Sequence, residues 1–297
     1  MSKKIVSLFL ALLMMFGMTT VMAENAVITV TDMFGREVTI EGPVTRIIAL
    51  EPSDCEMLCA IGCEDVLVGR GKYCDYPALV LELPAVESGA NTNLEEILTL
   101  NPQVVLMSDM DYSAERVHLL EENGISVICT TADSIEEVYT NIRLLGTIVR
   151  KEAEAEAVVT EMQNTFADVA SKSEPCGKTI YFEVMPLEWG LWSAGTNTFM
   201  HELAEICGMQ NAFADIDGWQ QVSQEQVIER DPDYIVLVTG MGETAVDEVL
   251  SRVGWGEMKA VKNKRIYNAD SYAMTRPAPR LMEAVVDLYN FLNGITE

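Results

Sequence analysis

Short, uninterrupted apolar runs alternate with amphipathic stretches along nearly the whole of this 297-residue chain. Apolar runs of four or five residues bounded by turn signals suit strands buried on both faces, and the stretches between them carry helical spacing. That alternation predicts an α/β fold built on largely parallel sheets. Arg46–Leu50 reads as a buried strand that breaks at Pro52-Ser53, where Ser53 and Glu56 are expected to form a capping box opening a helix through Ile61. Strands at Val66–Val68, Val104–Met107 and Ile125–Cys129, with helices at Glu95–Leu100 and Glu115–Glu122, complete a first lobe.

The pattern then turns helical from Ile135 to Lys172. Its last part, Lys151–Lys172, lacks Gly and Pro and is rich in Ala and Glu, which predicts a rod of roughly 33 Å at about 1.5 Å per residue. Pro175-Cys176-Gly177 stops it. A second α/β series follows: strand Thr179–Val184, helix Phe199–Cys207, short helix Gln224–Glu229, strand Tyr234–Val238 and a closing helix Arg280–Leu292. The expected domains are an N-terminal lobe over 24–148, a bridging helix over 149–174 and a C-terminal lobe over 175–297.

The two series repeat one another. Asn93-Leu94-Glu95-Glu96-Ile97-Leu98-Thr99-Leu100-Asn101-Pro102 precedes Val104-Val105-Leu106, and Ser223-Gln224-Glu225-Gln226-Val227-Ile228-Glu229-Arg230-Asp231-Pro232 precedes Tyr234-Ile235-Val236. Glu95 and Pro102 map onto Glu225 and Pro232 at one offset of 130 positions. Two Rossmann-like lobes joined by a long helix are the economical architecture, with a ligand cleft between them, because open α/β sheets bind ligands beyond the carboxyl ends of their strands.

The N-terminus changes the compartment. Lys3 and Lys4 precede the uncharged run Ile5–Phe16, and Val21-Met22-Ala23 supplies a cleavage signal, so 1–23 is read as a signal peptide. The first cysteine is Cys55, so a lipid anchor on a new N-terminal Cys is not expected. The mature chain is expected to be exported and soluble, in a periplasm or at the outer face of the cytoplasmic membrane, and monomeric. Removing Lys3 and Lys4 takes the net charge from −26 to −28. Such a surface excludes nucleic acid as a partner, since phosphates need a basic footprint, and favours a basic protein.

Seven cysteines are an odd count without a small-scaffold spacing. Cys55, Cys59 and Cys63 recur every four residues on one predicted helix, with no C-x-x-C pair, and are read as core packing before metal ligands. His118 and His201 are too few for a histidine-built metal site, and no resident cofactor is expected. No nucleophile elbow, phosphate loop or H-E-x-x-H motif occurs, and Gly69-Arg70-Gly71 lacks the third glycine of a dinucleotide loop. A secreted hydrolase is the rival reading, and the absence of these motifs speaks against it, so an enzyme is not expected; a surface adhesion module would fit export and acidity but not the repeat.

Loops at the strand ends offer Ser53, Tyr73, Asp109, Trp189, Trp192, Trp219, Tyr272 and Arg276 as ligand-binding candidates. Aromatic faces stack on flat chelates, and Arg meets carboxylates or phosphate. Several segments in order, namely Thr31-Asp32-Met33-Phe34-Gly35-Arg36, Arg46–Leu50, Asn93–Pro102, Trp219–Val227 and Arg276-Pro277-Ala278-Pro279-Arg280, resemble the helical-backbone substrate-binding proteins of bacterial ABC importers for cobalamin, ferric siderophores and haem. The resemblance implies capture of a metal chelate, a corrinoid or ferric siderophore with haem as the alternative, carried as cargo and delivered to a membrane permease. It also implies that Glu95 and Glu225, one per lobe, pair with permease arginines.

Overall fold

A computed structural model describes residues 27–295; the expected signal peptide lies outside them. The chain divides into two compact units, one comprising 27–131 with Arg143–Glu154 and the other Ala132–Ile142 with 155–295.

The first unit opens with an antiparallel pair, β1 (Ile28–Thr31) and β2 (Glu37–Ile40). The turn between them is fastened by Asp32, whose carboxylate accepts from the Phe34 and Arg36 amides and from the Arg36 guanidinium at 2.7 Å. Next come β3 (Ile47–Ala49), α1 (Pro52–Ala60), β4 (Leu67–Gly71), β5 (Ala85–Val86), α2 (Leu94–Leu100), β6 (Val104–Met107), α3 (Ala114–Glu122) and β7 (Ser126–Cys129). The last five strands form one parallel sheet in the order β5-β4-β3-β6-β7. Ile48, Leu50, Val105, Met107, Val127, Ile97 and Leu120 pack as its core. Each such fully buried side chain contributes on the order of 1.5–3 kcal/mol. Cys55 and Cys63 are buried and Cys59 is half-buried.

Two helices follow, α4 (Ile135–Val149) and α5 (Glu152–Lys172). They are separated at Arg150, in the left-handed region at φ 58°, where the Lys151 amide reaches back to the Gly146 carbonyl at 2.7 Å. This is a Schellman stop, so the helical pattern from Ile135 breaks here. Helix α5 runs unbroken for 21 residues, about 32 Å.

The second unit contains β8 (Thr179–Glu183), β9 (Trp192–Ala194), α6 (Phe199–Ile206), β10 (Gln210–Asn211), β11 (Trp219–Gln221), α7 (Gln224–Arg230), β12 (Tyr234–Leu237), α8 (Ala245–Ser251), α9 (Lys259–Lys262), β13 (Ile266–Asn268), α10 (Ser271–Thr275) and α11 (Leu281–Asn293). Its parallel sheet has the order β10-β8-β12-β13, and β11 pairs antiparallel with β9. Tyr181, Phe213, Ile235, Leu237, Val249 and Trp255 lie in its core.

The repeat holds element by element: α2, Asn101, Pro102 and β6 return as α7, Asp231, Pro232 and β12 at the single offset of 130 positions. Two local expectations are corrected. Ser53 does not cap α1; Pro52 occupies the first turn, Glu51 stands at the cap, and no side chain bonds there. A proline with its φ preset and no amide to satisfy suits the first helical position, which moves Ser53 inside the helix. The strand expected at Val66–Val68 instead runs Leu67–Gly71, because both glycines serve close packing. A Cβ on Gly71 would lie 1.9 Å from the Leu50 carbonyl oxygen, and one on Gly69 would lie 2.7 Å from Leu100 Cδ1.

Candidate functional site

In each unit the chain starts a parallel sheet near its middle and fills both sides, which leaves a crevice beyond the carboxyl ends of two neighbouring strands. In the first unit these strands are β3 and β6, and in the second they are β8 and β12.

Beyond β3 and β6 lie Glu51, Ser53 and the segment Ser108–Asp111. Ser53 is buried in the first turn of α1. Asp109 is exposed, and its amide donates to Thr131 Oγ1 at 2.8 Å. Tyr73, beyond β4, is 61% exposed, with Lys72 Nζ 4.7 Å from its ring centroid. The loop bearing it is tied from within: Arg70 Nη1 donates to the carbonyls of Gly71, Lys72 and Cys74. Met110 is also exposed here.

Acidic side chains gather at the same edge. Ser108 Oγ donates to Glu51 Oε1 at 2.9 Å, and Thr130 Oγ1 donates to Asp54 Oδ2 at 3.0 Å. Asp111 Oδ1 accepts from the Gly89 amide at 2.5 Å and from Thr92 Oγ1 at 2.8 Å. Burial pushes the Glu51 carboxyl up to about 8, with Asp111 and Asp109 adding to it, and burial pushes Asp54 well up too. Of this group only Asp109 stood out in the sequence. Its one signal there was an acid directly behind a buried strand, as in Leu50-Glu51-Pro52-Ser53-Asp54.

In the second unit, Trp189 closes a short turn behind β8 and is 66% exposed. Gly190 follows at φ 84°, where a Cβ would meet Gln221 Nε2 at 2.5 Å, so the chain can return to β9 only through glycine. Trp192 begins β9 opposite Gln221, and Trp219 lies opposite Ala194, so the two tryptophans share one face of the ladder as a diagonal pair. Trp219 is half-buried: its ring tilts against Phe199 at 5.3 Å, and Nε1 donates to Asp133 Oδ1 at 3.1 Å. Tyr272, in α10 beyond β13, is 53% exposed and covers the guanidinium of Arg276, which is buried, with 4.3 Å from Cζ to the ring centroid. Ser53, Tyr73, Asp109, Trp189, Tyr272 and Arg276 thus lie beyond the carboxyl ends of parallel strands, those of β3, β4 and β6 in the first unit and of β8 and β13 in the second, with Trp192 and Trp219 on the antiparallel pair.

Glu95 and Glu225 lie elsewhere, in the exposed first turns of α2 and α7. Asn93 caps the first helix and Ser223 the second, the latter through a complete capping box with Gln226. Backbone and Ser223 hydrogen bonds hold the Glu225 carboxyl below the usual range.

Among the described residues no group of three His, Cys, Asp or Glu side chains is placed to hold a metal ion, and no helix is long and apolar enough to cross a membrane. His201 Nε2 lies 3.4 Å from Glu205, and the exposed His118 pairs with Glu122 at 3.3 Å.

The ABC transporter substrate-binding lipoprotein YvrC of Bacillus subtilis, itself uncharacterized, is 33% identical over 268 residues, covering 88% of this chain and 84% of that protein. The vitamin B12-binding protein of Vibrio parahaemolyticus is 26% identical over 255 residues, 85% of this chain and 91% of that protein. Among solved structures, a possible iron-binding (periplasmic solute-binding) protein of Staphylococcus epidermidis superposes with a TM-score of 0.73 at 27% identity, covering 84% of this chain and 98% of that one. The profile of one family matches residues 47–273. The chain belongs to the periplasmic binding protein family.

Proposed function

We propose that this protein is the substrate-binding component of an ABC importer that captures a metal chelate, a corrinoid or a ferric siderophore, and delivers it to the membrane permease. The observation that carries this reading is the set of exposed aromatic rings at the carboxyl ends of the two parallel sheets, Tyr73 in one unit and Trp189 and Tyr272 in the other. Water-exposed rings cost free energy unless something covers them, and a planar macrocycle or a catechol chelate stacks on such faces. Ser53, Asp109, Trp192, Trp219 and Arg276 complete the proposed ligand set. The similarity to a vitamin B12-binding protein supports cargo of this class. Glu95 and Glu225 are the proposed contacts with permease arginines, because each is an exposed carboxylate in a first helical turn and can accept a bidentate guanidinium.

The test is a ligand screen on the mature chain with cobalamin, haem and ferric siderophores, read by tryptophan quenching and by absorbance retained after desalting. A Kd below about 10 μM, or about −7 kcal/mol, for one of these supports the reading. Weaker binding by all three overturns it.

A further inference from the structure

Beyond β3 and β6, the first unit buries more carboxyl groups than its hydrogen-bond donors can satisfy. Asp54 and Asp111 are fully buried, and Asp54 Oδ1 and Asp111 Oδ2 accept from no N–H or O–H group. Glu51 is held beside Asp111 through one residue: Ser108 donates its hydroxyl to Glu51 Oε1 at 2.9 Å, and its carbonyl accepts from the Asp111 amide at 3.2 Å. Two carboxylates offer only acceptors, so a bond between them exists only when one carries a proton.

The acids Asp54 and Asp109 add negative charge around this pair. Asp54 faces it from α1, and Asp109 faces it from the loop after β6. Two cations in that region, Arg116 and Arg70, spend their guanidinium groups on backbone carbonyls, Arg116 on those of Gly89, Ala90 and Asp111 and Arg70 on those of Gly71, Lys72 and Cys74. With like charges nearby and no guanidinium or ammonium on the carboxyl oxygens, a proton is the remaining counter-charge.

We propose that Glu51 and Asp111 share one proton, donated by Glu51 to Asp111 Oδ2, and that this bond is the positioning element of the crevice. It ties three segments together. Glu51 follows β3 and immediately precedes the turn bearing Ser53, Ser108 and Asp111 flank Asp109 behind β6, and Asp111 in turn holds the Gly89–Thr92 segment. Burial and the neighbouring acids pushing Glu51 up to about 8 agree with a proton retained at neutral pH. Because the folded chain holds this proton more tightly than the unfolded chain does, its contribution is complete below the ordinary carboxyl range. It is lost as pH rises through about 8. The proposal rests on the chelate-binding reading only for the role of Ser53 and Asp109.

The test needs no ligand. Thermal unfolding of the mature wild-type chain between pH 6 and 9.5 is compared with Glu51→Gln, whose amide donates to Asp111 at every pH, and with Glu51→Ala, which cannot donate. Wild type is expected to lose about 5 °C in Tm over this range relative to Glu51→Gln. Glu51→Ala should lie below Glu51→Gln throughout. A carboxyl ¹³C titration of wild type should place the Glu51 midpoint near 8. A midpoint between about 4 and 5 would overturn the proposal even if a variant fails to fold. So would parallel Tm profiles for wild type and Glu51→Gln. Failure of every chelate to bind would overturn the importer reading and leave this titration unchanged.

Discussion

Asn101 and Asp231 occupy equivalent places at the ends of two seven-residue helices, and both sit in the left-handed region, at φ 48° and 45°. Each is followed by a proline and then a buried strand, so the backbone reverses in the same way in both halves. Asn and Asp tolerate this conformation through their short polar side chains, whereas a β-branched residue pays a penalty. Asp231 does more, accepting from the Lys259 amide at 2.7 Å.

Asn101→Val should therefore lower stability by about 1–2 kcal/mol, and Asp231→Val by about 2–3 kcal/mol because it also loses the Lys259 bond. Asn101→Gly should be close to neutral and Asp231→Gly should cost about 1 kcal/mol, through the lost Lys259 bond. Urea unfolding of the four variants checks this, and equal cost for the two glycine variants would contradict it.

Trp189→Ala and Tyr73→Ala should each weaken chelate binding roughly tenfold, since a stacked ring contributes about 1–2 kcal/mol. Both rings are mostly exposed, so Tm should move by less than about 2 °C. Trp219→Phe should behave differently and lower Tm, because it removes the hydrogen bond to Asp133. Ligand titration and calorimetry on the same samples separate the two outcomes.

The double variant Glu95→Ala plus Glu225→Ala should bind chelate within about twofold of wild type and abolish uptake in cells that depend on this protein. Loss of affinity for the chelate itself would show that these glutamates belong to the ligand site instead.

Glu183 and Arg252 form a buried bidentate pair, with both N···O distances at 2.7 Å, and Arg252 also lies over the Trp255 ring at 4.3 Å. Burial raises the Glu183 carboxyl even against the guanidinium's opposing pull. Arg252→Met strands a buried carboxylate and should cost about 3–5 kcal/mol at pH 8. Lowering the pH protonates Glu183 and relieves that cost, so the gap to wild type should narrow towards pH 5 in denaturant unfolding. A gap independent of pH would mean that lost packing on Trp255 dominates.

Much of the fold was legible in the chain. Runs such as Val104–Met107 and Tyr234–Leu237 announce buried strands because backbone sterics and apolar periodicity act over a few neighbouring residues. The repeat carried Glu95 onto Glu225 for the same reason: capping residue, first-turn acid and αL stop are all local signals. Exposed tryptophans could be anticipated from Gly190, since a tight return after β8 leaves Trp189 no core to enter. The capping expectation at Ser53 failed on a local competition, where Pro52 fits the first helical position better than Ser53 fits the cap.

Other features were decided only in three dimensions. Acidic residues are ordinarily exposed, and the chain offers no signal at Glu51 or Asp111 beyond an acid closely following a buried strand. Half-buried Glu51 and buried Asp111 come together because parallel pairing sets β3 beside β6 and brings their carboxyl ends together. Trp219 meets Asp133, and Tyr272 shelters Arg276, through packing of the same kind. The sequence by itself determined which segments are strands and helices and that they recur. Which side chains lose their water depended on residues far apart in the chain meeting at one sheet edge, because desolvation is set by the surrounding atoms and not by the neighbours along the backbone.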